Sequence, residues 1–376
     1  MQAPKLIEHT EDVEALARTL EGEARLALDT EFHAERRYHP DLMLVQIATE
    51  DGRCWVIDTT RATLWPLASL VKGRTWLVHG GAMDLHLLLQ HTGQAPDDVL
   101  DAQRMAAFVG GRYPAKLERL LDRWLGLQPP PSRAMSDWGR RPLSPEQLAY
   151  AAADVGLLHG LVRSIEDEIA PRGHLAWAGQ ASLELLDETP PWQVSLDLWR
   201  SWEIAPELDD DERAALVGLL TWREQLAQDR DQPPRHILAD GLLLALARSR
   251  PASLDQLAED RRVSSGLRRS MGEAILGSLR RARSGPPPAP VAPEVPARSA
   301  MLRAWAMAFE RGHGISASLA LSSEWLQAVA EGGPGALRGW REQALKPQLE
   351  AFWQGRSTLS LAEGMPALAA PQGGAG

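Results

Sequence analysis

Apolar positions between residues 1 and 172 switch between two periods. Residues 11–20 place Val13, Leu16, Ala17 and Leu20 at helical spacing and predict a helix. Residues 25–32, 42–48 and 54–58 are short apolar runs joined by short links, and the first of them ends in acids. The link Glu50-Asp51-Gly52 is a hairpin signal, so the three runs predict strands in a meander. Residues 75–79 predict a fourth strand, and a helix starts at Met83. Strands followed by alternating helices predict an α/β sheet domain. After Pro171 the period is helical, from about 173 to 284 and again over 299–363. Between these stretches, residues 284–296 hold six prolines, cannot continue a helix and predict an extended spacer. The tail from Pro366 predicts disorder. Residues 219–250 are weakly echoed by residues 302–330, which suggests a degenerate repeat.

Candidate chemistry lies where these elements end. Asp29 and Glu31 stand two apart at the end of a strand and project to one face. Two carboxylates so placed repel unless a positive charge sits between them, although a solvated turn gives the same pattern. Tyr150 and Asp154, in a helix entered near Pro145, share a helix face at i and i+4. An ordinary surface pair has that spacing too. His79-Gly80-Gly81 follows the fourth strand and turns it into a helix whose first turn holds Asp84, where the helix dipole alone favours an anion. Taken together, Asp29, Glu31, Asp84, Tyr150 and Asp154 each fall at a strand end or helix start, where an α/β sheet gathers its site residues. Oxygen-only ligands suit Mg²⁺ or Mn²⁺. Neither a Cys pair nor a His-x-x-x-His spacing is present for zinc. A pair of hard cations is a known solution for in-line attack on a phosphodiester.

Composition narrows the setting. A chain of 376 residues predicts two or three domains with ample cores. One cysteine, Cys54, excludes an intramolecular disulfide and fits a reducing compartment. No apolar run reaches the length of a membrane span, and the N-terminus carries no signal-peptide core, so a cytoplasmic protein without membrane contact is expected. A net charge of −10 argues against coating nucleic acid by bulk electrostatics. It leaves a nucleic-acid enzyme open, because metal-binding carboxylates contribute negative charge that bound cations cancel. Only four of the 40 basic residues are lysines, a bias that fits GC-rich coding as well as bidentate phosphate contact.

At these residues the chain resembles the ribonuclease D family, in the tyrosine-containing subgroup of the DEDD 3′–5′ exonucleases. Leu28-Asp-Thr-Glu-Phe32 with Tyr38-His-Pro-Asp-Leu-Met-Leu-Val-Gln-Ile47 resembles the first motif and its following strand. His79-Gly-Gly-Ala-Met-Asp-Leu85 resembles the second. Ser136-Asp-Trp138, Arg141-Pro-Leu143 and Tyr150-Ala-Ala-Ala-Asp-Val155 resemble the third. Asp101-Ala-Gln103 is similar to an Asp-Thr-Gln helix, with Ala102 where the family usually has Thr. Leu220-Thr-Trp-Arg223, Pro233-Pro234, Ile237-Leu238, Asp240 and Pro251-Ala-Ser253 resemble the helicase-and-RNase-D C-terminal (HRDC) module.

The resemblance implies a multi-domain α/β plus all-α fold. A ribonuclease H-like, mixed-sheet exonuclease domain would span 1–172, a helical connector 173–208 and an HRDC domain 209–284. A Pro-rich linker would follow at 285–298, a degenerate second HRDC-like domain at 299–365 and a disordered tail at 366–376. It also implies two divalent metal ions, Mg²⁺ or Mn²⁺. Asp29 would bridge both. Glu31 and Asp154 would complete the water-activating one, and Asp84 would support the other. Tyr150 would orient the attacking water, since a phenol is neutral at pH 7 and positions water better than it deprotonates it. The expected substrate is RNA with a single-stranded 3′ end, such as tRNA precursors, cleaved to nucleoside 5′-monophosphates by a monomer. Two alternatives stand beside it: a 3′–5′ DNA exonuclease in repair, because nothing in the motifs separates ribose from deoxyribose, and a catalytically silent nucleic-acid-binding scaffold.

Other residues invite either a site role or a structural one. His79 is a cleft-lining or a packed histidine. Asp101 is a supporting acid or a helix cap. Trp138 stacks on a base or packs in the core. Arg36, Arg37, Arg133, Arg140 and Arg141 are candidate phosphate contacts or a solvated charge run. The segment 209–284 is near neutral or slightly basic, and Arg261, Arg262, Arg268 and Arg269 are its candidate phosphate contacts.

Overall fold

The computed structural model describes residues 3–128, 133, 136–190, 192–282 and 285–369. Its centre is a six-stranded sheet in the order β1-β4-β3-β2-β5-β6. The strands are β1 (Lys5–Ile7), β2 (Arg25–His33), β3 (Asp41–Ala48), β4 (Cys54–Asp58), β5 (Thr75–Val78) and β6 (Asp98–Asp101). Strands β2, β3 and β4 form the expected antiparallel meander. The turn between β3 and β4 is closed by Thr49 Oγ1, which donates to Asp51 at 2.5 Å, and by Gly52 at φ 86°. β1 joins β4 in parallel, and β5 and β6 extend the sheet from β2 in parallel, so the sheet is mixed. Neither β1 nor β6 is foreseen by the pattern, because three or four residues are too few to show a period of two.

Helices cover both faces. They are α1 (Thr10–Thr19), α2 (Ala68–Val71), α3 (Ala82–Thr92), α4 (Ala102–Ala106), α5 (Leu117–Leu125), α6 (Pro145–Gly156), α7 (Leu158–Ile169) and α8 (Leu175–Leu183). On one face Leu28, Val45, Ile47 and Val78 pack against Val13 and Leu16 of α1 and Leu85 and Leu88 of α3. On the other, Leu44 and Val56 pack against Ala151 and Tyr150 of α6, with Trp138 and Leu143 beneath. α6 starts sharply because Ser144 and Gln147 form a reciprocal capping box and Pro145 opens the first turn.

The chain divides into two compact units, and the division departs from the expected boundaries. One unit contains residues 192–299 together with 34–40, a segment expected inside the exonuclease domain. Its helices are α9 (Asp210–Arg230), α10 (Pro234–Ile237), α11 (Asp240–Ser249), α12 (Leu254–Ala258) and α13 (Ser265–Ala282). Asp209 and Glu212 cap α9 reciprocally, and buried Arg223 ties it to Leu238 O at 2.7 Å and Asp240 at 2.6 Å. The segment 34–40 belongs here for a chemical reason. The buried Tyr38 hydroxyl donates to Glu224 and accepts from Gln228, while Asp231 takes the Tyr38 and His39 amides at 3.1 and 3.2 Å.

The other unit takes the rest, including residues 300–369, which the sequence sets apart as a separate domain. They fold as α14 (Val295–His313), α15 (Ala317–Ala320), α16 (Ser323–Gly332), α17 (Gly339–Ala344), α18 (Lys346–Trp353) and a hairpin of β7 (Thr358–Ala362) and β8 (Met365–Ala369). α14 begins inside the expected linker, and β8 occupies part of the expected tail, whose residues 370–376 lie outside the described ones. The attachment is polar and specific. Arg341 pairs with Glu184 at 2.5 Å and donates to Ala320 O and Leu319 O. Backbone bonds join Gly110 N to Gly314 O at 2.7 Å and Ser316 N to Ala107 O at 2.8 Å. Sequence periodicity finds helices but not the face on which they dock.

The turn from β5 into α3 leaves no room for a side chain. A Cβ on Gly81 would lie 2.5 Å from the Cβ of Val78, a branched residue fixed in the sheet. Gly81→Ala is therefore expected to destabilise this unit by about 1–3 kcal/mol through overpacking. Gly22→Ala, whose added methyl meets nothing within 4 Å, is the neutral control in a denaturant titration.

Candidate active site

The site is assembled at the end of β2. Asp29 lies opposite Gln46 and Glu31 opposite Leu44 in the β2–β3 ladder, so all four side chains share the face covered by α6. β5 pairs with β2 only as far as Ala27, so β2 runs past the end of its parallel neighbour. A bulge after Glu31 then turns the strand. α6 brings Asp154 over this end, and ligand oxygens of Asp29, Glu31 and Asp154 lie within 4.8 Å of one another.

Asp84 joins from the opposite face. Thr30, which alternates away from Asp29 and Glu31, donates its hydroxyl to Asp84 at 2.5 Å. Thus three of the four expected acids form one cluster, and the fourth is held through the residue between two of them. Thr30 was not singled out from sequence; its place inside Asp-Thr-Glu was the available signal.

The electrostatics are those of crowded, uncompensated acids. Burial pushes Asp29 well above the ordinary carboxylate range, and the charges of Asp84, Asp154 and Glu31 push it further. Burial raises Glu31 to about 9, with Asp154 and Asp84 adding to the rise. Asp84 is raised by burial to about 6 against the opposing hydrogen bond from Thr30. Asp154 is raised by burial to about 7; the hydrogen bond from the Tyr150 hydroxyl opposes the rise and the charge of Glu118 adds to it. The leading causes of these shifts are burial and neighbouring acids, and no basic side chain is among them. Gln46, fully buried opposite Asp29, has both amide atoms without a partner among the described residues. Converging oxygens, charge that no basic side chain leads in offsetting among the described residues and an orphaned amide alongside fit a hard divalent cation.

The surrounding residues divide by what they touch. His79 donates from Nε2 to Ala115 O at 2.9 Å, and burial lowers its pKa, so it is a packed, neutral histidine. Asp101 is a buried cap, accepting from Arg104 N and from Gly81 N, each at 3.0 Å, and so it fixes the turn that carries Asp84. Trp138 is 1% exposed and packs near Tyr150, with ring centroids 6.1 Å apart, which excludes base stacking in this arrangement. Arg141 pairs with the fully buried Asp58 and donates to Trp138 O at 2.6 Å, so it anchors the third motif. Arg37 pairs with Asp231, whereas Arg36, Arg133 and Arg140 are exposed. Glu118 of α5 acts on both Asp154 and His79, and no local sequence signal marks it.

Comparison with known proteins identifies the family. A 3′–5′ exonuclease family model matches residues 4–170, and an HRDC domain model matches residues 212–279. The ribonuclease D of Granulibacter bethesdensis is 31% identical over 96% of this chain and 95% of its own length. The chain belongs to the ribonuclease D family. A second ribonuclease D, from Pseudomonas paraeruginosa, is 29% identical over 85% of this chain and 89% of its own. The crystal structure of Escherichia coli RNase D, described as an exoribonuclease involved in structured RNA processing, superposes with a TM-score of 0.80 at 25% identity, covering 94% of this chain and 99% of that one. Family membership and the exonuclease domain make the protein a 3′–5′ exoribonuclease. The fold is the expected one for the family, a mixed-sheet exonuclease domain followed by helices that include an HRDC domain. No helix among the described residues is long and apolar enough to cross a membrane.

The raised carboxyl pKa values fix the sign of a pH effect. Glu31 and Asp154 bind protons in the folded state up to about 9 and about 7, whereas unfolded they release them near 4. The folded state therefore holds more protons across that window, and stability falls as pH rises through it. In EDTA the melting temperature is expected to drop from pH 5 to pH 9, and Glu31→Gln to flatten the drop. Mn²⁺ should restore more stability at pH 8 than at pH 6, since binding displaces those protons. A pH-independent melting curve in EDTA would contradict the assignment.

Proposed function

We propose that the protein trims RNA from an unpaired 3′ end, hydrolysing one phosphodiester at a time and releasing nucleoside 5′-monophosphates. The observation that carries this reading is the convergence of Asp29, Glu31 and Asp154 on one point, with Tyr150 bonded to Asp154 at its edge. Two divalent cations, Mg²⁺ or Mn²⁺, would supply an acidified water and neutralise the charge on the leaving oxygen. Asp29 would be shared between them, Glu31 and Asp154 would hold the first, and Asp84 would support the second. Tyr150 would orient the attacking water through its hydroxyl, while its bond to Asp154 and its packing near Trp138 keep the ring fixed.

The helical parts fit the handling of an RNA strand. Residues 299–365 read as a degenerate second HRDC-like module. α14, α15 and α16 have 19, 4 and 10 residues, close to the 21, 4 and 10 of α9, α10 and α11. The expected substrates are tRNA precursors and other structured RNAs with single-stranded 3′ tails, acted on by a cytoplasmic monomer.

A paired digestion tests this reading. Labelled single-stranded RNA and DNA of one sequence are incubated with Mg²⁺ or with EDTA. A Mg²⁺-dependent ladder on RNA is expected, and a stronger ladder on DNA would move the enzyme to DNA repair. Asp29→Asn is expected to abolish cleavage without loss of folding. Tyr150→Phe should lower kcat on the order of 10²-fold, the scale of a lost positioning or proton-handling group, while leaving Mn²⁺-induced stabilisation unchanged. An active, well-folded Asp29→Asn protein would overturn the site.

A further inference from the structure

A second feature of the sheet-containing unit lies beside the acidic cluster. Residues 110–119, the end of α14 and the first residues of α15 line an open cavity of about 700 Å³. Arg112, Lys116 and Arg119 line it on one side, and Glu310, Ser316 and Ser318 on the other. The three cations are exposed and make no ion pair among the described residues. Several other arginines of this unit are matched by an acid, Arg25 with Glu166, Arg53 with Glu23, Arg104 with Glu188, Arg141 with Asp58 and Arg341 with Glu184, whereas here three cations without one gather on a single cavity. Glu310, the one acid in the lining, is occupied, accepting the Ala317 amide at 3.0 Å.

The cavity is built rather than incidental. Arg123 donates to Gly110 O and Val109 O, and the Gly110–Gly314 and Ser316–Ala107 backbone bonds fasten its two walls together. It also adjoins the catalytic end of the sheet. Ala115, in its lining, accepts hydrogen bonds from His79 and Gln103. Lys116 precedes α5, whose Glu118 acts on Asp154. A phosphodiester strand reaching the carboxylates needs positive charge next to them, because the acids alone repel its neighbouring phosphates.

Resting on the exoribonuclease reading, we infer that this cavity is a binding site for the sugar–phosphate backbone of the RNA strand. In it Arg112, Lys116 and Arg119 neutralise phosphates adjacent to the one being cleaved, and Ser316 and Ser318 offer neutral hydroxyls. The C-terminal module thereby supplies one wall of a substrate subsite. Neutralised phosphates release counterions, so the site has a salt signature.

The test is binding, measured by fluorescence anisotropy of a labelled single-stranded RNA with the full chain in EDTA. Arg112→Ala/Lys116→Ala/Arg119→Ala changes only exposed side chains, and an unchanged melting temperature confirms its fold. It is expected to bind roughly tenfold or more weakly and to lose about 2 from the slope of log Kd against log salt, at about 0.7 per phosphate on a single strand. Arg112→Lys/Arg119→Lys should keep the slope. Equal affinity and slope in the triple variant would overturn the inference. So would a triple variant that loses binding of free AMP but keeps that of RNA, because the cavity would then hold a mononucleotide. The two readings fail separately. A wild-type protein that cleaves RNA beside a triple variant that binds it normally removes the subsite and keeps the function. A wild-type protein that binds RNA through these cations but cleaves nothing removes the function and keeps the site.

Discussion

Mutual repulsion among buried carboxylates is the constraint around which this protein is arranged. Asp29, Glu31 and Asp154 stand with oxygens within 4.8 Å of one another, and burial together with the neighbouring charges raises each pKa. No fold gains stability from such a cluster by itself, and uncompensated buried charge is expensive. Rigid elements must therefore hold the acids where a hard cation can neutralise them. The sheet supplies Asp29 and Glu31 from a single strand, α6 supplies Asp154, and Thr30 reaches through to Asp84.

Much of the neighbouring polar structure serves to fix those elements. Asp101 caps α4 and binds Gly81 N in the turn that presents Asp84. The Arg141–Asp58 pair fastens the third motif to the end of β4, and Trp138 fills the space beneath Tyr150. His79 holds the chain after β5 to Ala115. These residues sit inside the motifs yet are occupied by the protein. That distinction separates groups that position the site from groups free to meet substrate.

The C-terminal helices show a related economy. Residues 300–369 belong to the same compact unit as the sheet, held by buried Arg341 and two backbone bonds, instead of forming a body of their own. Separating buried Arg341 from the half-buried Glu184 would strand the guanidinium without its counter-charge, so the attachment resists being undone. A module fixed in this way can contribute walls to a site, whereas a tethered one only raises local concentration.

The sequence by itself determined the elements with enough residues to show their period and the acids that mark the chemistry. The β2–β3–β4 meander, β5, α1, α3 and the helical second half follow from spacing alone. Asp29 with Glu31 and Tyr150 with Asp154 stand at intervals of two in a strand and four in a helix, and Asp84 in a helix's first turn; each pattern is common by itself, and it is their combination, with the family motifs, that marks them as candidates. Only the tertiary structure decided what long-range contact creates. It moved residues 34–40 to the helical unit through Tyr38 and Asp231, and joined residues 300–369 to the sheet-containing unit through Arg341. It also separated packed Trp138, His79 and Arg141 from exposed Arg112, Lys116 and Arg119, which make no ion pair among the described residues. The acids that pair with Arg104, Arg141 and Arg341 lie 84, 83 and 157 residues away, and no local pattern records such partners.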